Sequence, residues 1–212
     1  MASTEHAKEI RRARRRQADR VAESRERLME AAISLFAERG YEATSTGAIA
    51  DRAGYVRSMV NTRYGGKEGL LVAMLQDEWV TRLLFDVSDA PDGLHGALGV
   101  IDRLRVFAVE QPARLRAFLL VSFEATGASS IPKDRVSGLL AALDRTIADA
   151  LRAGVEDGSV DSGTDPDFEA ACIVDAGLGM AYRWVVDAQR YDLAGHLGTW
   201  REALFARLGS SA

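Results

Sequence analysis

The sequence predicts an all-α fold, and three observations carry that reading. Apolar residues recur at helical spacing along the chain, while β-branched residues are sparse and strict strand-like alternation is missing. Only four prolines occur in 212 residues, Pro91, Pro112, Pro132 and Pro166, and they stand far apart. A hydrophobic content of 47% can fill a core, which excludes a wholly disordered chain.

The elements follow in order. Residues 1–24 are polar and arginine-rich, with Arg11, Arg12, Arg14, Arg15 and Arg16 clustered, and read as a basic arm lacking an apolar face. Ser24 is expected to cap a first helix whose stripe is Leu28, Ala31, Ala32, Leu35 and Phe36, and which stops at Gly40. Thr44 and Ser45 offer caps to a short second helix with Ile49 and Ala50 inward. Ala53-Gly54 makes a tight turn, and a third helix runs from about Val56 to Tyr64. Gly65-Gly66 breaks it, and Lys67 opens a fourth helix through Leu70, Leu71, Met74, Leu75, Trp79 and Leu83. After a break at 88–93, helices are expected at about 94–109, 113–127, 133–156, 166–189 and 193–208, with Asp165-Pro166 as N-cap and first helical residue.

Charge is uneven. The net value is −4, yet residues 1–67 hold 14 basic and 9 acidic residues, a balance of +5 on an otherwise acidic chain. Only the front is therefore expected to meet a polyanion. The single Cys172 allows no internal disulfide or cysteine metal cage. No secretory signal and no window near the ~20 apolar residues of a membrane helix is present, so a cytoplasmic, membrane-free protein is expected.

Two short helices joined by a tight turn, each too small to be stable alone, form a helix-turn-helix pattern. The helix over 56–64 would bury Val60 and Tyr64 and present Arg57, Ser58, Asn61, Thr62 and Arg63, groups able to read base edges or hold phosphates. The segments Arg25-Glu26-Arg27-Leu28, Leu35-Phe36-Ala37-Glu38-Arg39-Gly40-Tyr41, Thr44-Ser45, Ile49-Ala50, Ala53-Gly54 and Tyr64-Gly65-Gly66-Lys67-Glu68-Gly69-Leu70 resemble the DNA-binding region of TetR-family transcriptional regulators.

The resemblance implies three regions: a basic arm at 1–24, a helix-turn-helix DNA-binding domain at 25–69, and a ligand-binding and dimerisation domain at 70–212. It also implies that the third helix enters the major groove while Lys67, Thr44 and Arg63 hold phosphates, Lys67 beside the N–H groups of a helix N-terminus. The arginine cluster could follow the backbone, enter a minor groove, or be a solubilising tail. Three departures stand out: Val56 where Ser or Thr is common, Asn61 for a common Tyr, and Gly47 inside the second helix.

In the body, Trp79, Phe85, Phe107, Phe118, Phe123, Met180, Tyr182 and Trp184 could be core or pocket, and Phe118 and Phe123 are the best candidates for ligand contact. Arg116 or Glu124 facing inward would indicate a charged ligand. Small residues (Ala170, Ala171, Ala176, Gly177, Gly179, Ala181), with Val174, Leu178, Val185, Leu197, Trp200, Leu204 and Leu208, suggest a two-fold four-helix interface. The expected function is a homodimeric repressor released from a palindromic DNA operator by an unknown small molecule. The alternative is a ligand- or protein-binding dimer with a degenerate head.

Other chemistry finds little support. The Gly65-Gly66-Lys67-Glu68 run lacks the first glycine and the Ser or Thr of a phosphate loop. His6, His95 and His196 stand apart, the aspartates at 157, 161, 165 and 167 lack calcium-loop spacing, and Cys172 reads as core filler. No metal, no cofactor and no catalytic nucleophile–base set is expected.

Overall fold

The computed structural model describes residues 2–76, 80, 84, 90–126 and 130–210, with side chains described from Arg12 onward except at Ala13. Trp79, Leu83, Phe85 and the side chains of His6 and Arg11 lie outside the described residues, as does the fourth helix over 77–79. The chain divides into two compact units, Met1–Leu75 and Gln76–Ala212.

The first unit, the head, holds α1 (Ala2–Arg39), α2 (Thr46–Ala53), α3 (Ser58–Tyr64) and α4 (Lys67–Leu75). Ser24 does not begin the first helix. α1 runs through it unbroken because residues 2–23 contain neither Gly nor Pro and are rich in Ala, Arg and Glu, all strong helix formers. Ser24 is instead buried, and its hydroxyl donates to the Val21 carbonyl at 2.9 Å. Ser45 is the N-cap of α2, its Oγ accepting from Ala48 N at 3.2 Å.

At the other end of α2, Gly54 takes φ 77, left-handed backbone that a side chain would strain, and Tyr55 N donates back to the Ala50 carbonyl at 2.8 Å. This fixes the turn into α3. The core beneath comprises Leu28, Leu35, Phe36, Tyr41, Ile49, Val60 and Leu70, each no more than 2% exposed. Phe36 and Tyr41 meet at 5.3 Å between ring centroids, within the range where aromatic pairs attract.

The second unit, the body, holds α5 (Gly93–Glu110), α6 (Pro112–Glu124), α7 (Lys133–Asp157), α8 (Pro166–Val186) and α9 (Leu193–Leu208). Aspartates start three of them: Asp92, Asp165 and Asp192 each accept first-turn backbone N–H groups. α8 ends at Val186, short of the expected 189. The Asp187 carboxylate accepts from Arg190 N at 3.3 Å and so turns the chain out of the helix.

α5 packs against both α7 and α9, and α7 against α8. The α5–α7 crossing is made by two glycines, since a Cβ on Gly93 would lie 2.1 Å from Gly154 N. A short clasp closes this end: Val160 bridges Gly209, and Asp161 N donates to the Leu208 carbonyl at 2.9 Å.

Candidate nucleic-acid interface and body cavity

α3 is only seven residues long, too short to hold itself in water, so its neighbours must fix it. Val60 anchors its middle in the core at 0% exposure. Its C-terminal end is clamped to α1. Tyr64 donates its hydroxyl to the Arg25 carbonyl at 2.8 Å, and the Arg25 guanidinium lies 4.4 Å from the centre of the Tyr64 ring. Arg25 also donates to the Arg63 carbonyl at 2.6 Å, a cation on the negative end of a helix.

The N-terminal end is looser. Arg57 stands at the cap position with no side-chain cap bond. Instead, Arg57 Nε donates to Thr46 Oγ1 at 3.3 Å, joining the starts of α2 and α3.

What remains outward is a polar face of Arg57, Ser58, Asn61 and Thr62, all exposed. Thr62 donates its hydroxyl to the Ser58 carbonyl at 2.9 Å and keeps lone pairs for an incoming donor. The other three expected contacts sit differently. Arg63 is half-buried, its Nε donating to Ser24 Oγ at 2.7 Å. Lys67 Nζ donates to the Tyr41 carbonyl at 3.0 Å and stands 4.0 Å above the centre of the Tyr41 ring. Thr44 is buried at 1% exposure; its hydroxyl donates to the Gly40 carbonyl at 2.7 Å and its N–H to the Tyr41 carbonyl at 3.1 Å.

Four supporting residues, Ser24, Arg25, Tyr41 and Thr46, escaped the sequence reading as partners. No spacing rule links Tyr41 to Lys67 or Ser24 to Arg63, because those pairs meet only through the fold. Arg52 adds a further tie. Its guanidinium bonds both oxygens of Glu38 at 2.8 and 3.1 Å and also Ser34, binding α2 to α1. The Arg52 guanidinium, helped by the Ser34 hydroxyl, holds the Glu38 carboxyl at about 2.

In the body, a cavity of about 240 Å³ opens among α5, α6, α7 and α8. Phe118 and Phe123 both line it, with Leu104, Leu140, Ile147 and Trp200 among the other walls. Among the described residues the lining holds no charge, and its only hydroxyls are Ser122 and Thr126. Both donate to carbonyls of their own chain, at Phe118 (2.8 Å) and Phe123 (2.7 Å). Arg116 points elsewhere: its NH1 donates to the Val185 carbonyl at 2.7 Å at the end of α8. Neither it nor Glu124 lines the cavity, and Phe107, Met180, Tyr182 and Trp184 also lie outside its wall.

The small-residue stripe of α8 corrects the expected interface. Val174, Gly177, Leu178 and Ala181 line the cavity, Ala170 is buried within the protomer, and on α9 Leu197, Leu204 and Leu208 are buried too. The face of α8 left outside carries Phe168 (63% exposed), Ala171, Gly179, Tyr182 (57%) and Val186 (67%). Cys172 is half-buried, so it is not core filler. His95 Nδ1 pairs with Asp92 at 2.8 Å, and His196 stacks on Tyr191. Among the described residues no cluster of His, Cys, Asp or Glu could hold a metal, and no helix is long and apolar enough to cross a membrane.

Comparison with known proteins finds a family model and solved structures that this chain resembles. Residues 28–74 match the family model described as bacterial regulatory proteins, tetR family. The fold resembles the fatty acid degradation regulator FadR of Bacillus halodurans, with TM-score 0.70 and 17% identity over 85% of this chain and 94% of that one. It also resembles SmeT, the repressor of a Stenotrophomonas maltophilia multidrug efflux pump, with TM-score 0.67 and 20% identity over 89% and 91%. A third structure, from work on control of antibiotic production by bacterial hormones, matches with TM-score 0.72 and 23% identity over 88% and 97%. No curated protein matches the chain by sequence.

Proposed function

We propose, from the match of residues 28–74 to the model of bacterial regulatory proteins of the tetR family, that this chain is a homodimeric transcriptional repressor that a small molecule releases from a palindromic operator. The observation that carries this reading is α3 itself: a short helix clamped at its C-terminal end, with Arg57, Ser58, Asn61 and Thr62 left exposed along it. Two such helices would enter successive major grooves. Asn61 and Arg57 supply the donors and acceptors for adenine and guanine edges. Lys67 and Arg63, turned by Tyr41 and Ser24, are then phosphate contacts whose direction is set in advance, and Thr44 acts by fixing the end of α1 and the start of α2.

Dimerisation through the outer face of α8 removes Phe168, Tyr182 and Val186 from water and meets the need for a two-fold partner. The effector enters the cavity beside Phe118 and Phe123. Its walls favour a carbon-rich, uncharged molecule, because a charge placed there would find no partner among the described lining residues. Regulators of fatty acid degradation and of a multidrug pump share the fold, which suits such an effector. Effector and operator would oppose each other by about 1–3 kcal/mol, reciprocally.

The test is a mobility shift on the DNA upstream of the protein's own gene. Saturable, sequence-selective binding is expected, falling about 10-fold or more in Asn61→Ala and Arg57→Ala with unchanged thermal unfolding. Absence of any sequence-selective shift at low salt would overturn the proposal in favour of a degenerate head.

A further inference from the structure

The basic front of α1 lies N-terminal to the stretch matched by the family model and is unused by the contacts above. Between residues 12 and 20 it carries Arg12, Arg14, Arg15, Arg16 and Arg20 against one acid, Asp19. All five guanidinium side chains are exposed, and among the described residues none has an acid partner. The stretch is helical and continuous with the part of α1 that clamps α3. Ser24 and Arg25 touch Arg63 and Tyr64 at the end of α3 directly. At ~1.5 Å per residue, Arg20 stands about one turn beyond that junction and Arg12 about 18 Å beyond it, roughly half a turn of duplex.

We infer that residues 12–20 form a second DNA-contact surface, one that holds backbone phosphates flanking each half-site. The inference rests on the DNA-binding reading above. Physical size selects the phosphates: a helix with side chains is about 10–12 Å across and cannot enter a minor groove about 6 Å wide. Composition selects DNA over a lipid surface. An interfacial helix needs a broad apolar face, and in this stretch only Ala13 and Ala18 are apolar. Phosphate contacts carry no sequence information, so the arm adds affinity and salt dependence without specificity.

The experiment uses the full-length protein. A duplex is selected from a randomised pool with the unmodified chain, and binding to it and to a scrambled duplex is followed by fluorescence anisotropy between about 50 and 300 mM KCl. Arg12, Arg14, Arg15, Arg16 and Arg20 are replaced together by Gln in one variant and by Lys in another. The Gln variant is expected to lower the log–log salt slope by about 0.9 for each phosphate released, hence by several units in a dimer, and to weaken both duplexes by the same factor. The Lys variant keeps the slope.

An unchanged slope in the Gln variant, with α-helical content and melting as in the parent, overturns the inference. A loss confined to A·T-rich flanks overturns it too, because that is minor-groove reading. Failure of the parent to enrich any sequence would strike the regulator proposal instead, while the slope difference on random duplex still decides the arm.

Discussion

The head and the body use their side chains in opposite ways. In the head, polar groups do the positioning: Arg25, Arg52, Arg63, Lys67 and Thr44 each reach a carbonyl, hydroxyl or carboxylate that fixes one helix on another. In the body, the features proposed for function are apolar, a cavity lined by Phe118 and Phe123 and an uncovered stripe on α8. The contrast teaches that a surface proposed to meet a charged duplex must be rigid in direction, because hydrogen bonds are directional. A pocket for a carbon-rich molecule needs only shape and dryness, because hydrophobic burial is not directional.

The same truncation should therefore cost different amounts in the two units. Phe36→Ala removes a fully buried ring from the head core and should destabilise that unit by about 3–5 kcal/mol, abolishing DNA binding. Phe123→Ala removes a half-buried ring that already faces empty volume, so its stability cost should fall below that range while effector affinity changes. Urea unfolding followed by hydrogen exchange, which reads each unit separately, makes the comparison. Equal costs would show that the cavity is closed in solution.

A smaller effect sharpens the same point. Gly47 lies in α2 with negative φ, and a Cβ there would meet nothing nearer than Ser45 Oγ at 3.7 Å. Gly47→Ala should raise head stability by about 0.5–1 kcal/mol, seen as slower exchange of α2 amides. If DNA binding falls although stability rises, close approach of DNA to that backbone is the reason for the glycine.

The smallest effect concerns acid. Hydrogen bonds from His95 N to Asp92, from Ser159 to Asp157 and from Arg207 to Glu169 hold these body carboxyls below their ordinary values, while the head has Glu38 at about 2. A folded value below the unfolded one contributes stability that is present above the unfolded value and lost as pH falls through the folded one. Lowering pH from about 5 to 2 should thus weaken both units. Trp184 and Trp200 lie on α8 and α9, so with Trp79 replaced by Phe the remaining tryptophan fluorescence follows the body. A body midpoint that stays flat while the head loosens would reverse the assignment.

Much of this molecule was legible before folding. Helical periodicity, the caps Ser45 and Asp165, the first-turn Pro166 and the turn at Gly54 are local features, and local features are written in neighbouring residues. The failures have a common cause. Ser24 resembled a cap because its chemistry permits one, yet the arm before it is a good helix former and no breaker intervenes. The stripe of α8 was assigned to a partner, but a helix apolar on more than one side does not say which side meets its own core.

What the sequence alone determined is the all-helical class, the helix-turn-helix and the basic front, since each depends on contacts within a few turns of chain. Only tertiary structure decided which outward charges stay free, where the cavity opens and which flank of α8 is uncovered. Those depend on pairs such as Tyr41 with Lys67 and Arg116 with Val185, far apart along the chain and joined only when packing brings their elements together.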